Sequence, residues 1–126
     1  ETVAVLGSGM KSVHPRGNRD LLPKVEDSGC FVTEFYPSTP AKGRTLMAIN
    51  RIVIALSKAV IVVEAGLKSG SLDAARRAGP LGIPIRVIPG SPGTDQLLRE
   101  GAQEYRGLDS LTISDSKKPQ QLSLLE

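Results

Sequence analysis

Four short apolar runs punctuate the chain, each closed by glycine, proline or a charged residue and separated from the next by enough chain for one helix. Val3-Ala4-Val5-Leu6 stops at Gly7-Ser8-Gly9, and Cys30-Phe31-Val32-Thr33-Glu34 leads into a proline-rich stretch. Ala59-Val60-Ile61-Val62-Val63 is unbroken, and Pro84-Ile85-Arg86-Val87-Ile88 gives way to Pro89-Gly90-Ser91-Pro92-Gly93. Short β-branched runs without apolar–polar alternation suit strands covered on both faces, the usual condition of a parallel sheet. The run at 59–63 is the clearest and is expected to be central. Segments of helical period lie between and after the runs. Leu21, Leu22 and Val25 follow Asn18, a candidate cap; Met47, Ile49, Ile52, Val53 and Leu56 form the second; Ser71 to Ala78 is alanine-rich; Thr94 caps the last, through Glu100. Four strand–helix alternations predict an α/β fold, a single-domain Rossmann-like three-layer sandwich with a mostly parallel sheet.

Length fits that prediction, because 126 residues hold one domain of the common size of about 100–150 residues. Loss of periodicity near Ser110 divides the chain into a domain at 1–109 and a partly ordered polar tail at 110–126. Aromatics make up only 3% of the residues, so the core must be aliphatic. So short a chain buries a modest share of its surface, which favours a homodimer. A single cysteine, Cys30, excludes an internal disulfide and a cysteine-rich zinc site and suits a reducing compartment. No apolar stretch approaches the roughly 18–20 residues of a membrane span, and no signal peptide precedes the first strand. A cytoplasmic protein is expected.

The net charge of +3 is a mild bias, so position matters more than the sum. Ligands of open parallel sheets bind outside the carboxyl ends of the strands. The loops expected there carry Lys11, His14, Arg16, Lys42, Arg44 and Lys68, and their only carboxylates close the strands themselves. Lys and Arg in such an arrangement neutralise phosphates and release counterions. Residues 36–46 form a long loop rich in proline, glycine and basic residues, a length that is usually functional or disordered in a compact domain. Lys68-Ser69-Gly70-Ser71 precedes a helix, so its small residues let backbone N–H groups approach an anion, or Ser71 simply caps the helix. Asn50-Arg51 interrupts an apolar helix face, as a phosphate ligand or as an arginine whose stem lies along the helix.

Other motifs carry less. Gly7-Ser8-Gly9 lacks the third glycine of the dinucleotide fingerprint, and no P-loop is present. His14, the sole histidine, lies beside Pro15 and suits spacing or stacking better than proton transfer. Glu34 and Glu64 read as ordinary strand-end carboxylates. No catalytic triad, carboxylate pair or metal-ligand cluster can be assembled, so no catalytic residue, cofactor or metal is expected. Bases could stack only on Phe35, Tyr36 and His14.

Taken in order, these segments resemble the DprA/Smf DNA-processing family. Val3-Ala4-Val5-Leu6-Gly7-Ser8-Gly9 with His14-Pro15-Arg16-Gly17-Asn18 is similar to the family's AVLGxG…YPxxN. Thr33-Glu34-Phe35 and its proline-rich loop are similar to SEFPPGTPP, and Asn50-Arg51-Ile52-Val53 with Ala55-Leu56-Ser57 to NRIIxxLS. Val62-Val63-Glu64-Ala65, Ser69-Gly70-Ser71-Leu72 and Ala75 resemble VVEAxxxSGSLxTA. Ile88-Pro89-Gly90-Ser91 and the run from Gly93 to Ala102 resemble VPGS…GTNxLIREGA. The likeness covers about residues 2–105 and implies a truncated or minimal member, since the family's domain normally opens with an earlier βαβ segment. It also implies a recombination mediator that binds single-stranded DNA, dimerises and helps to load RecA. Arg16, Arg51 and Lys42 or Arg44 would then contact phosphates, with Ser69, Gly70 and Ser71 as an anion-binding turn; Lys11, Asn18, Asn50 and Lys68 complete the candidate phosphate-binding residues. The alternative is a nucleotide-binding protein or hydrolase of the related lonely-guy-like superfamily. Pro89-Gly90-Ser91-Pro92-Gly93-Thr94 imitates the catalytic loop of those enzymes, but the glutamate it needs is missing.

At the far end, Gln121-Leu122-Ser123-Leu124-Leu125 resembles the short peptide by which bacterial DNA-metabolism proteins dock on the replicative sliding clamp. Gln121, Leu122, Leu124 and Leu125 would make that contact behind a polar lead.

Overall fold

The computed structural model describes residues 2–111. Its elements run β1 (Thr2–Val5), α1 (Leu22–Ser28), β2 (Gly29–Val32), α2 (Gly43–Ala55), β3 (Val60–Val62), α3 (Gly70–Ala78), β4 (Ile85–Val87), α4 (Pro92–Arg99) and β5 (Gln103–Glu104). Every strand pairing is parallel, and each parallel pair is bridged by a helix. The fold is therefore Rossmann-like α/β, as the strand–helix alternation predicts. Contacts divide the chain into two compact units at Val53 and Ile54.

In the first unit β1 and β2 lie side by side with Val3 opposite Cys30 and Val5 opposite Val32. Gly29 belongs where it is because its backbone passes Thr2 so closely that a Cβ would sit 1.7 Å from the Thr2 carbonyl oxygen. Asn18 does not cap α1, contrary to expectation. A 3-10 segment, Arg16–Leu21, intervenes; the Asn18 N–H is bonded to the Pro15 carbonyl, and Leu21 occupies the cap position without a side-chain hydrogen bond. Among the described residues of this unit, the most buried side chain is a polar one, Ser8, at 2% exposure.

The second unit holds a conventional aliphatic core. Val62, Ala65, Leu72, Ala75, Val87 and Leu97 form one buried cluster, with Val60, Ile85, Leu98 and Ala102 packed against it. Burial of Leu72 or Leu97 contributes roughly 1.5–3 kcal/mol each relative to exposure. Strand order is β3-β4-β5, so β4 is the middle strand of this sheet, and the expectation that 59–63 is central does not hold within the unit. Val62 faces the cluster at 4% exposure while Ile61 and Val63 stand 40% and 64% exposed. The run is apolar throughout, and that pattern cannot say which face is covered. Sequence reasoning also missed β5, whose two polar, exposed residues pair with Arg86 and Val87.

Candidate nucleic-acid interface

In the first unit, two loops at the carboxyl ends of β1 and β2 are stitched together. Gly9 N–H donates to the Thr39 carbonyl at 2.9 Å, Lys11 N–H to the Pro37 carbonyl at 2.9 Å, and Ser12 Oγ to the Ser38 carbonyl at 3.3 Å. Deeper in, Thr33 Oγ1 donates to the Ser8 carbonyl at 2.8 Å and accepts the Phe35 N–H at 3.1 Å. The glycine turn exists for this contact. A Cβ on Gly9 would lie 1.9 Å from the Tyr36 carbonyl oxygen and 2.3 Å from that of Pro37. Here the glycine lets two loops of the protein touch, a tertiary demand that the Gly-x-Gly pattern does not distinguish from a ligand's.

The second loop runs directly into α2, which begins at Gly43, four residues ahead of the helix expected from Met47. Thr45 explains the early start. Its Oγ1 accepts the Lys42 N–H at 2.9 Å and donates to the Lys42 carbonyl at 3.0 Å, which also accepts the Leu46 N–H. Thr45 thus holds the first turn from inside, with Lys42 where a Ser or Asp would normally signal a cap. Lys42 and Arg44 consequently stand at the positive end of the helix macrodipole, an unfavourable place for cations worth some tenths of a kcal/mol each. Both line an open pocket of about 500 Å³ with Thr39, Pro40 and Thr45. An anion there would relieve the strain between like charges.

The other expected ligands of this unit lie on separate elements. Lys11 is exposed in the 3-10 turn Met10–Ser12, Arg16 and Asn18 are exposed after the cis His14–Pro15 bond, and Asn50 is half-buried in α2. Lys11, Arg16, Lys42 and Arg44 take part in none of the ion pairs among the described residues. Arg51 does. Its guanidinium is paired with the Glu34 carboxylate, the two side chains being 57% and 31% exposed. Glu34 is therefore the partner of an arginine rather than an idle strand end.

In the second unit the turn before α3 is arranged differently from the sequence reading. Ser69, not Ser71, is the helix cap: its Oγ accepts the Leu72 N–H at 3.2 Å, and α3 starts at Gly70. Ser69 N–H is bonded to the Gly66 carbonyl. Lys68 and Ser71 are exposed, and Gly70 is half-buried. Asp73 in the first turn is held by Arg77, and Arg76 by Glu100. These bonds raise the pKa of both arginines further and lower that of Glu100. The cations of α3 are thereby committed within the protein. Ser69→Ala is expected to cost about 1 kcal/mol of stability, seen as a melting point lower by about 4 °C; Ser69→Thr, which keeps the oxygen, should restore most of it.

The loop after β4 is likewise occupied by the protein itself. Ser91 Oγ accepts the buried Ala65 N–H at 3.0 Å, Ser91 N–H is bonded to Thr94 Oγ1, and Gly90 N–H to Asp95 Oδ1. Gly93 N–H donates to the Ala65 carbonyl at 2.7 Å, and a Cβ on Gly93 would stand 2.6 Å from that oxygen. Donors that could cradle a nucleotide phosphate at the start of α4 are already spent. Among the described residues there is no group of three or more His, Cys, Asp or Glu placed to hold a metal, and no helix long and apolar enough to cross a membrane. The leucine-rich segment at 121–125 lies outside the described residues.

A sequence profile described as DNA recombination-mediator protein A matches residues 1–114. The putative DNA processing protein DprA of Mycobacterium tuberculosis is 40% identical over 117 residues, covering 87% of this chain and 30% of that protein. Protein Smf of Escherichia coli is 39% identical over 108 residues, 80% of this chain and 29% of its own length. The chain thus spans less than a third of these curated relatives. Among solved structures, DNA processing protein A of Streptococcus pneumoniae superposes with a TM-score of 0.77 at 32% identity, covering 83% of this chain and 39% of that one. The same protein from Helicobacter pylori, whose structure was described for its single-stranded DNA binding mode, gives 0.78 at 31%, covering 86% and 53%. On the profile match, and with a fold shared with the two solved relatives, the chain belongs to the DNA recombination-mediator protein A family.

Proposed function

We propose that the chain binds single-stranded DNA through phosphate contacts at the carboxyl ends of its strands, as a module of a recombination mediator without catalysis of its own. The observation that carries this reading is the start of α2, where Lys42 and Arg44 crowd a helix N-terminus and line an open pocket with no carboxylate among its described lining residues. Lys11 and Arg16 extend the basic surface in the first unit; Asn18, Asn50 and Arg51 belong to it, and Lys68, Ser69, Gly70 and Ser71 supply a second patch. Residues 1–109 constitute the DNA-binding domain and 110–126 a tail. The protein acts in the cytoplasm as a homodimer beside RecA, and Gln121, Leu122, Leu124 and Leu125 offer a contact for the sliding clamp. The rival reading, a nucleotide hydrolase, is disfavoured because the loop at Pro89–Thr94 uses its donors on Ala65 and Asp95.

Glu34 supplies a sharp test, since a phosphate must share or displace it to reach Arg51. Arg51→Ala is expected to weaken binding to oligo-dT by about 1–2 kcal/mol. Glu34→Gln should strengthen it by about 0.2–1 kcal/mol, the range of an exposed ion pair. Fluorescence anisotropy at low salt measures both. Equal affinities in wild type and both variants would remove Arg51 from the interface.

A further inference from the structure

The platform that joins the two loops of the first unit also presents one side chain for which the fold has no use. Tyr36 is 87% exposed, more than any other large apolar or aromatic side chain among the described residues. In a chain with two tyrosines, two phenylalanines and no tryptophan, an aromatic ring left in water is an uncommon expenditure of apolar surface. Its backbone, by contrast, is fixed. The Tyr36 carbonyl accepts the Thr39 N–H at 2.9 Å, the next residue accepts the Lys11 N–H, and Gly9 lies directly beneath. The turn that carries the ring is therefore held on both sides while the ring itself is free. Two of the cationic segments assigned above to phosphates lie near it in the chain or through the backbone: the Lys11 N–H is hydrogen-bonded to the neighbouring Pro37 carbonyl, and the pocket lined by Lys42 and Arg44 begins at Thr39, whose N–H is bonded to the Tyr36 carbonyl.

We propose that Tyr36 is a stacking platform for one base of the bound strand, the base lying on the phenol ring while its flanking phosphates reach Lys11 and the Lys42–Arg44 pocket. This rests on the single-strand reading given above and deepens it, because it specifies an unpaired nucleobase, not merely a polyanion, as what the site takes. A π-face accepts every base, so the contact adds affinity without sequence preference. It also disfavours duplex DNA, whose bases are already stacked on one another.

The experiment compares oligo-dT with a strand of equal length and charge carrying abasic sites. Tyr36→Ala is expected to bind oligo-dT about ten-fold more weakly, within the range of one lost stack, with the same melting temperature and the same salt slope. Its affinity for the abasic strand should equal that of wild type, and Tyr36→Phe should restore oligo-dT binding. Because the chain has no native tryptophan, Tyr36→Trp adds a direct readout: its emission should be quenched by oligo-dT and not by the abasic strand. The inference is overturned if Tyr36→Ala binds oligo-dT as wild type does, or loses affinity equally for both strands. Failure of wild type to bind either strand at about 100 μM, a weak-encounter limit, would instead overturn the single-strand reading on which it rests.

Discussion

Gly9→Ala is expected to be among the most damaging single-methyl substitutions available in the first unit. The added Cβ would meet the carbonyl oxygens of Tyr36 and Pro37 at 1.9 and 2.3 Å, and both obstacles are backbone, so no side-chain rotation relieves them. The loops must separate, which gives up Gly9 N–H to Thr39 and Lys11 N–H to Pro37 at about 1 kcal/mol each, besides the strain of overpacking at about 1–3 kcal/mol. A loss of about 3–5 kcal/mol is expected in urea unfolding. Oligo-dT affinity should fall with it, because Tyr36 and Lys11 are positioned through this junction. Gly17→Ala is the control, since a Cβ there meets nothing within 4 Å. If Gly9→Ala were as stable as Gly17→Ala, the junction would not be what holds the platform.

The second large effect separates binding from stability. Lys11, Lys42 and Arg44 changed together to Ala should reduce the slope of log affinity against log salt by about 2, from roughly 0.7 per phosphate contact on a single strand. Affinity for oligo-dT at low salt should drop by about 100-fold, as three contacts of about 1 kcal/mol each imply. Stability should hold or rise by a few tenths of a kcal/mol, because two of the three cations leave the positive end of α2. Residues that matter to the fold rarely combine a large functional loss with a neutral or favourable effect on unfolding. Anisotropy across a salt series, beside a thermal melt, reads both quantities. A triple variant with an unchanged slope would place the phosphates elsewhere.

Much of the fold could be read from the chain because its signals are local. The β-branched runs at 3–6, 30–34, 59–63 and 84–88 correspond to β1 to β4, and Gly29 and Ser91 punctuate them where the elements change. What escaped the sequence depends on particular hydrogen-bond partners, some within one turn and some distant in the chain. The start of α2 rests on Thr45 bonding back to Lys42, a residue that does not announce a cap. β5 consists of Gln103 and Glu104, which become a strand only because β4 offers a free edge. Ser71 and Asn18 are sound cap residues by type, yet Ser69 holds the one cap and a 3-10 segment displaces the other.

The site divides the same way. The placing of Lys11 and Lys42 between strand and helix was readable because strand ends are a sequence property, whereas Arg44, expected in the loop, belongs to the first turn of α2. The engagement of Arg51 by Glu34 was not, since seventeen residues separate them and only the turn after β2 brings them together. Nor could the Gly-x-Gly pattern say whether its bare backbone faces a phosphate or, as here, the protein's own Tyr36–Pro37 segment. That distinction decides between a nucleotide cradle and a loop platform.

The central claim is that this chain takes a polynucleotide strand and leaves nucleotides unaltered. It is met most directly by titrating labelled oligo-dT of several lengths at several salt concentrations, with AMP and ATP as competitors and as potential substrates. Affinity is expected to rise with length until the basic surface is filled, to fall steeply with salt and to be little affected by mononucleotides, with AMP left intact. Tight, length-independent binding of a mononucleotide, or its hydrolysis by the purified chain, would contradict it.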